Sequence, residues 1–152
     1  MLIALWLVLG LVLGTAFVFF ARACGERSVF AYGLVVAALI YVAFALFGSA
    51  DSRWILIEVL GVLVYGVFAA LGLFRSRQWL ALGWSVHPVW DLGLQLIGGG
   101  SAFSPAWYAA ACISFDLLVA AYIFIRSGRR SGHESSPKSS DSRTRIQRGR
   151  GK

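Results

Sequence analysis

Five apolar stretches, each long enough to cross a bilayer, constrain this chain more than any motif in it. They run over 2–21, 29–47, 54–74, 79–97 and 107–125. A transmembrane helix needs about 20 apolar residues, whereas a barrel strand needs about 9–11 in strict alternation. These stretches have helix length and no alternation. The segments between them, 22–28, 48–53, 75–78 and 98–106, are short and hold turn-forming and charged residues. No repeat of solenoid length and no inverted pair of halves is evident. The expected fold class is therefore all-α, a polytopic membrane bundle of five transmembrane helices. At 59% hydrophobic and 14% charged, little chain is left for a soluble catalytic domain. Neither phosphate-binding glycine motif occurs.

The first stretch reads as a retained helix. A signal peptide would carry a positive n-region, and here only Met1 precedes the apolar run. Basic residues set the orientation. Arg22 and Arg27, Arg75 and Arg77, and the nine from Arg126 to Lys152 fall on one side of the membrane, against Arg53 alone on the other. By the positive-inside rule the N-terminus is outside and the C-terminus cytoplasmic. Trp54, Trp107 and Tyr108 then open spans at the outer face, and Trp79 at the inner face, where indoles favour the interface. Twelve of fourteen basic residues are arginine, which suits a GC-rich bacterium and a plasma (inner) membrane location.

From 127 to 152 the chain turns to serine, glycine and arginine without periodicity. Such a segment buries too little surface to offset the entropy of ordering, so residues 127–152 are expected to be a disordered basic tail behind a bundle of residues 1–126. Beside a membrane its charge points to anionic lipid rather than nucleic acid. Gly10 and Gly14 form a small-xxx-small pair, which serves either a homodimer or helix packing within the monomer. Cys24 and Cys112 lie at different depths and do not make a disulfide framework. The chain has no asparagine, so N-glycosylation is excluded.

The polar residues inside the spans carry the functional content. Spans three to five hold Glu58, His87, Asp91 and Asp116, with Gln95 and Cys112 nearby. Each ionised group at mid-bilayer costs about 2.5–3.5 kcal/mol even on the lenient insertion scale, so by default these residues mark a site facing the bundle interior. His87, Asp91 and Gln95 follow one another at i, i+4 and i+8, a single stripe on the fourth helix; Tyr108, Cys112 and Asp116 repeat that spacing on the fifth. A rise of about 1.5 Å per residue puts His87 about 15 Å and Asp116 about 13–14 Å below the outer face. On the same scale Asp91 lies about 9 Å down, Cys112 about 7–8 Å and Glu58 about 6 Å. Two layers are expected: His87 with Asp116 near the midplane, and Asp91 with Cys112 and Glu58 above. Glu58 is the outermost carboxylate, close enough to the surface to snorkel or to pair with Arg53. Pro88 frees the carbonyl of Trp84, giving a kink or a carbonyl ligand.

Three chemistries fit this set. A histidine beside a carboxylate performs acid–base work, which makes His87, Asp91 and Asp116 the candidate catalytic residues. Glu58, Trp90, Gln95, Tyr108 and Cys112 are the candidate substrate contacts. One imidazole with two carboxylates also makes a shell for a divalent metal, with His87, Asp91 and Asp116 as ligands. A line of such groups through a bundle relays protons, as in a proton-coupled carrier or channel subunit. Against all three stands a structural or partner-binding reading, in which the network fixes helix register. Five helices without a repeat favour chemistry on a lipid or other apolar substrate over alternating access.

The run Gly83-Trp84-Ser85-Val86-His87-Pro88-Val89-Trp90-Asp91, followed by Pro105-Ala106-Trp107-Tyr108 and by Cys112 to Asp116, resembles a family of small, uncharacterised bacterial integral membrane proteins. Their pattern is a Gly-Trp…His-x-x-Trp-Asp helix and then a Cys-x-x-x-Asp helix, and the resemblance covers residues 54–126. It implies His87, Trp90, Asp91, Cys112 and Asp116 as the site and brings no activity with it. The family's His-His pair after Trp-Asp is replaced here by Leu94 and Gln95, which departs from a histidine-rich metal site.

Overall fold

The computed structural model describes residues 2–48, 50–96 and 99–134. It is all-α, in the order α1 (Leu2–Cys24), α2 (Glu26–Phe47), α3 (Ser52–Phe74), α4 (Arg77–Leu96) and α5 (Ala106–Glu134), with a 3-10 turn at Gly100–Ala102 before α5. The five expected helices are all present. The expected end of the fourth span, at 97, falls outside the described residues, as does 135–152 of the expected tail.

The helix ends differ from expectation where charge suggested a loop. The segment 22–28 shrinks to one residue, Gly25, whose φ of 104° is left-handed and separates α1 from α2. Arg22 and Arg27 stay helical, because long cationic side chains at a helix end reach the interface without leaving the helix. At the other end of α2 the chain turns into α3 through Asp51, whose carboxylate accepts the Arg53 N–H at 3.1 Å. That is an N-cap satisfying a donor the helix cannot. Helix α5 runs on to Glu134, so 127–134 is helical instead of tail. Once a helix is formed, each further residue adds a hydrogen bond for little entropy, and the Ser127 hydroxyl donates to the Ile123 carbonyl at 2.9 Å.

Four helices, α1, α2, α3 and α5, are long and apolar enough to cross a membrane. Their outward faces carry large apolar side chains such as Leu5, Val12, Leu39, Leu63, Val67 and Leu117, all well exposed. A soluble monomer does not present so much apolar surface; lipid covers it here. Helix α4 is the exception, since Arg77, Gln78, His87, Asp91 and Gln95 dilute its hydropathy. It packs between α3 and α5 and touches α2 as well, burying Leu80, Ala81, Trp84, His87, Asp91 and Leu94.

Helix α1 leans on α5, and the glycine pair makes the fit. A Cβ at Gly10 would overlap the Ala111 carbonyl and the Ser114 hydroxyl, and one at Gly14 would stand 3.3 Å from the Phe115 backbone. Ser114 donates across the seam to the Leu7 carbonyl at 2.8 Å. Of the two roles open to the Gly10–Gly14 face, the structure shows the one within the monomer, against α5. At the arginine-bearing end Glu26 binds Arg77 at 2.6 Å, Arg126 at 3.1 Å and the Tyr122 hydroxyl, while Arg27 donates to the Gly72 carbonyl at 2.6 Å. These bonds pin α2, α3, α4 and α5 together. Above them a dry core of Phe30, Leu34, Leu80, Trp84, Val119 and Ile123 fills that half of the bundle.

Candidate functional site

His87 and Asp91 lie one turn apart on α4, and Asp116 faces them from α5. All three are buried, at 1%, 0% and 1% exposed. His87 Nδ1 stands 2.9 Å from Asp116 Oδ2 and 3.5 Å from Asp91 Oδ2. The depth match between His87 and Asp116 is as expected from helical rise. The expected separation into two layers is not: both carboxylates meet the same ring nitrogen. Side chains on a helix tilt toward its N-terminus, so the Asp91 carboxylate reaches back to the level of His87.

A second group of side chains closes around the imidazole from α2 and α3. The Tyr65 ring packs edge-on to His87 at 4.8 Å between centroids, and Tyr41 at 6.1 Å. Glu58 is buried on the same α3 stripe as Gly61 and Tyr65, with the Trp90 indole beside its carboxylate. It neither snorkels nor pairs with Arg53, whose guanidinium lies over the Trp54 ring at 5.7 Å. Among the described residues, the buried side-chain oxygens and nitrogens without a hydrogen-bond partner are the Tyr41 hydroxyl, Glu58 Oε1, the Tyr65 hydroxyl and both carboxylate oxygens of Asp91. Every one belongs to this cluster. Tyr41 stands close to Asp91 without reaching hydrogen-bond geometry.

On its third side the cluster meets a cleft of about 370 Å³ between α1, α2 and α5, floored by Trp84. Leu9, Leu13, Phe17, Val36 and Ile40 make it apolar, and Tyr108, Cys112 and Asp116 stand along its inner side, presenting almost no polar surface to it. Asp116 therefore stands between the cleft and His87. Tyr108 packs against Phe44 and Tyr41 at 4.9 and 5.8 Å between centroids, and Cys112 is a free thiol. Gln95 turns away: its amide donates to the Ser104 carbonyl at 3.0 Å and to the Ser104 hydroxyl at 2.5 Å, tying α4 to the turn before α5.

Sequence reasoning passed over Tyr65 and gave Tyr41 no role. Tyr65 had a signal, seven residues after Glu58 and so on the same helix face. Tyr41 had none, because its place opposite Asp91 depends on how α2 docks. Chemically, three carboxylates surround one imidazole, and among the described residues no arginine pairs with any of them. Even with His87 protonated, the ionised cluster is negative in a medium that resists charge. Protons or a cation must balance it.

Comparison with known families matches residues 2–130 to a family of unknown function, DUF6010. The chain belongs to that family, and the match takes in α1 and α2, beyond the 54–126 stretch that carried the resemblance. No curated protein and no solved structure matches it.

Proposed function

We propose that this member of the family is a membrane-embedded enzyme, whose His87–Asp91–Asp116 centre acts on an amphiphilic, lipid-like substrate entering from the bilayer. The position of Asp116 carries the reading. Its carboxylate holds the imidazole at 2.9 Å, and the residue itself stands at the inner edge of the apolar cleft, so it is the point where cleft and centre adjoin. A substrate chain lying along Leu9, Leu13 and Ile40 would bring its polar end to Tyr108, Cys112 and Asp116. There Asp116 orients the ring, and the centre supplies acid–base or metal-assisted chemistry.

Conduction is the weaker reading. Toward the arginine-bearing end the cluster gives way to Leu34, Leu80, Trp84 and Val119, which leave no polar route onward. The Trp84 indole N–H, the one polar atom of that layer, is already donated to the Phe30 carbonyl at 3.1 Å. We place the arginine-bearing end on the cytoplasmic side of a bacterial plasma membrane, so that the cleft opens in the outer half of the bilayer and the basic tail lies against anionic lipid.

The test is photolabelling in nanodiscs with a phospholipid carrying a diazirine at mid-chain. Labelling should concentrate on cleft residues such as Leu13, Ile40 and Ala111 over the outward-facing Leu63 and Val67. It should fall about tenfold at the cleft in Ile40→Trp, whose larger ring fills the groove. Even labelling of cleft and outer face would overturn the reading.

A further inference from the structure

We infer that the cluster is a divalent metal site, with His87 Nδ1 and one carboxylate oxygen each from Asp91 and Asp116 as ligands. This deepens the reading above, on which it rests, by naming the cofactor of the same centre.

The first support is the set of unpartnered atoms. Folded proteins satisfy nearly all buried polar groups, and the exceptions need a reason. Here the five exceptions converge on one place, and both oxygens of Asp91, which is 0% exposed, are among them. The chamber that Tyr41, Glu58, Tyr65 and His87 line is narrow, and the Asp91 oxygens lie beside the imidazole at its edge. A bare ion held among the ligand atoms needs no wider room.

Geometry is the second support. The three candidate ligand atoms lie within 4.8 Å of one another. Around an ion with bonds of about 2.1 Å, neighbouring ligand atoms stand about 3.0 Å apart at octahedral angles and about 3.4 Å at tetrahedral ones. The two edges that meet at Nδ1 measure 2.9 and 3.5 Å, which brackets that range. Both carboxylates approach the nitrogen that a metal would share with them.

Charge and donor type complete the case. One imidazole and two carboxylates are a borderline-hard set, suited to Mn²⁺, Fe²⁺ or Zn²⁺; Ca²⁺ prefers six to eight oxygens. A divalent ion offsets the two ligand carboxylates and removes the need to bury them as bare anions. Tyr41 beside Asp91 and Glu58 beyond the imidazole then act on the ligands from behind, as outer-shell groups do.

The experiment incubates detergent-purified, tag-free protein with Mn²⁺, Fe²⁺ or Zn²⁺ in turn, desalts it, and counts metal per chain beside Asp91→Asn of equal monodispersity. About one ion per chain in the parent, lowered about tenfold or more in the variant, is the expected result. Less than roughly a tenth of an ion in the parent with all three metals, or undiminished metal in the variant, overturns the inference. Should the variant aggregate, X-ray absorption of the Zn²⁺-loaded parent decides. One imidazole with oxygen ligands supports the site, and a sulfur ligand or a second imidazole overturns it, since Cys24, Cys112 and His133 are the competing donors. The photolabelling keeps the two readings apart. Metal-free protein with a labelled cleft removes the metal alone, and metal-bound protein with an unlabelled cleft removes the lipid-like substrate alone.

Discussion

Asp91→Asn separates a reactive centre from a structural network, because the two predict opposite signs in stability. If Asp91 exists to lock helices together, neutralising it removes a bond and the protein weakens. If it stands ready for a cation, the metal-free protein carries a strained group and neutralising it helps. Neither of its oxygens has a hydrogen-bond partner, and the nearest cationic group, His87 Nδ1 at 3.5 Å, is already engaged by Asp116 at 2.9 Å. An unsatisfied buried polar group costs about 1–3 kcal/mol. Asparagine keeps the shape, drops the charge and can donate its amide to Asp116 or Tyr41. The chelator-treated variant should therefore be more stable than the parent by about 1–3 kcal/mol, about 5- to 150-fold in the unfolding equilibrium.

The assay is reversible unfolding of both proteins in bicelles at pH 8, with chelator and again with excess Mn²⁺. An ion at 100 times its dissociation constant adds about 2.7 kcal/mol to the parent and nothing to a variant that has lost the site. The order of the two proteins should close or reverse. A chelated variant weaker than the parent by about 1 kcal/mol or more would refute the reasoning, because Asp91 would then be a satisfied member of a structural network.

Other expectations concern the frame around the site. Gly10→Ala should destabilise by about 1–3 kcal/mol through overpacking against Ala111 and Ser114. Gly66→Ala, where nothing lies within 4 Å, should be neutral or stabilising by up to about 1 kcal/mol; equal thermal midpoints for the two would contradict the α1–α5 seam. Glu26→Gln should lose about 1–2 kcal/mol, less than its bonds suggest because Arg126 is 43% exposed and screened. Unchanged resistance to SDS would show that this ion cluster holds nothing. At the N-cap of α3, the backbone N–H of Arg53 and then the Ser52 hydroxyl hold the Asp51 carboxyl below its ordinary value. Its stabilisation is thus present above the unfolded value of about 3.9 and is lost as pH falls through the lower folded one. The midpoint difference between the parent and Asp51→Ala at pH 7 should shrink steadily as pH falls below about 3.9, and a difference that stays constant on acidification would argue against the cap.

Helix number and core pairing were legible because each rests on a length or a period. Twenty apolar residues make a span, and equal depth on antiparallel neighbours brings His87 to Asp116. What was not legible depends on rotation about helix axes and on how elements dock. Glu58 reads as interfacial from its distance to the span's start, yet α3 turns it inward on the stripe with Gly61 and Tyr65. Gln95 continues the α4 stripe, yet it meets Ser104 because the chain folds back over it. The Arg22–Ser28 segment reads as a loop by its charge, yet one left-handed glycine makes the turn. Gly10 and Gly14 specify a close approach without saying to which partner, and α5 of the same chain takes it.

Helix α4 supplies the remaining step from structure to chemistry. It is the helix least suited to lipid, and it packs against α2, α3 and α5. If polar residues served only to set register, single bonds would suffice, worth about 0.6 kcal/mol each within membranes. The bundle already has them: Ser114 to Leu7, Trp84 to Phe30 and Arg27 to Gly72 lock three seams through backbone carbonyls and leave nothing unsatisfied. The centre is built the other way, with three carboxylates around one imidazole and five unpartnered atoms beside it. Such an arrangement weakens the metal-free fold. The proposed ion would complete it, and the cleft beside Asp116 would give a substrate access to it.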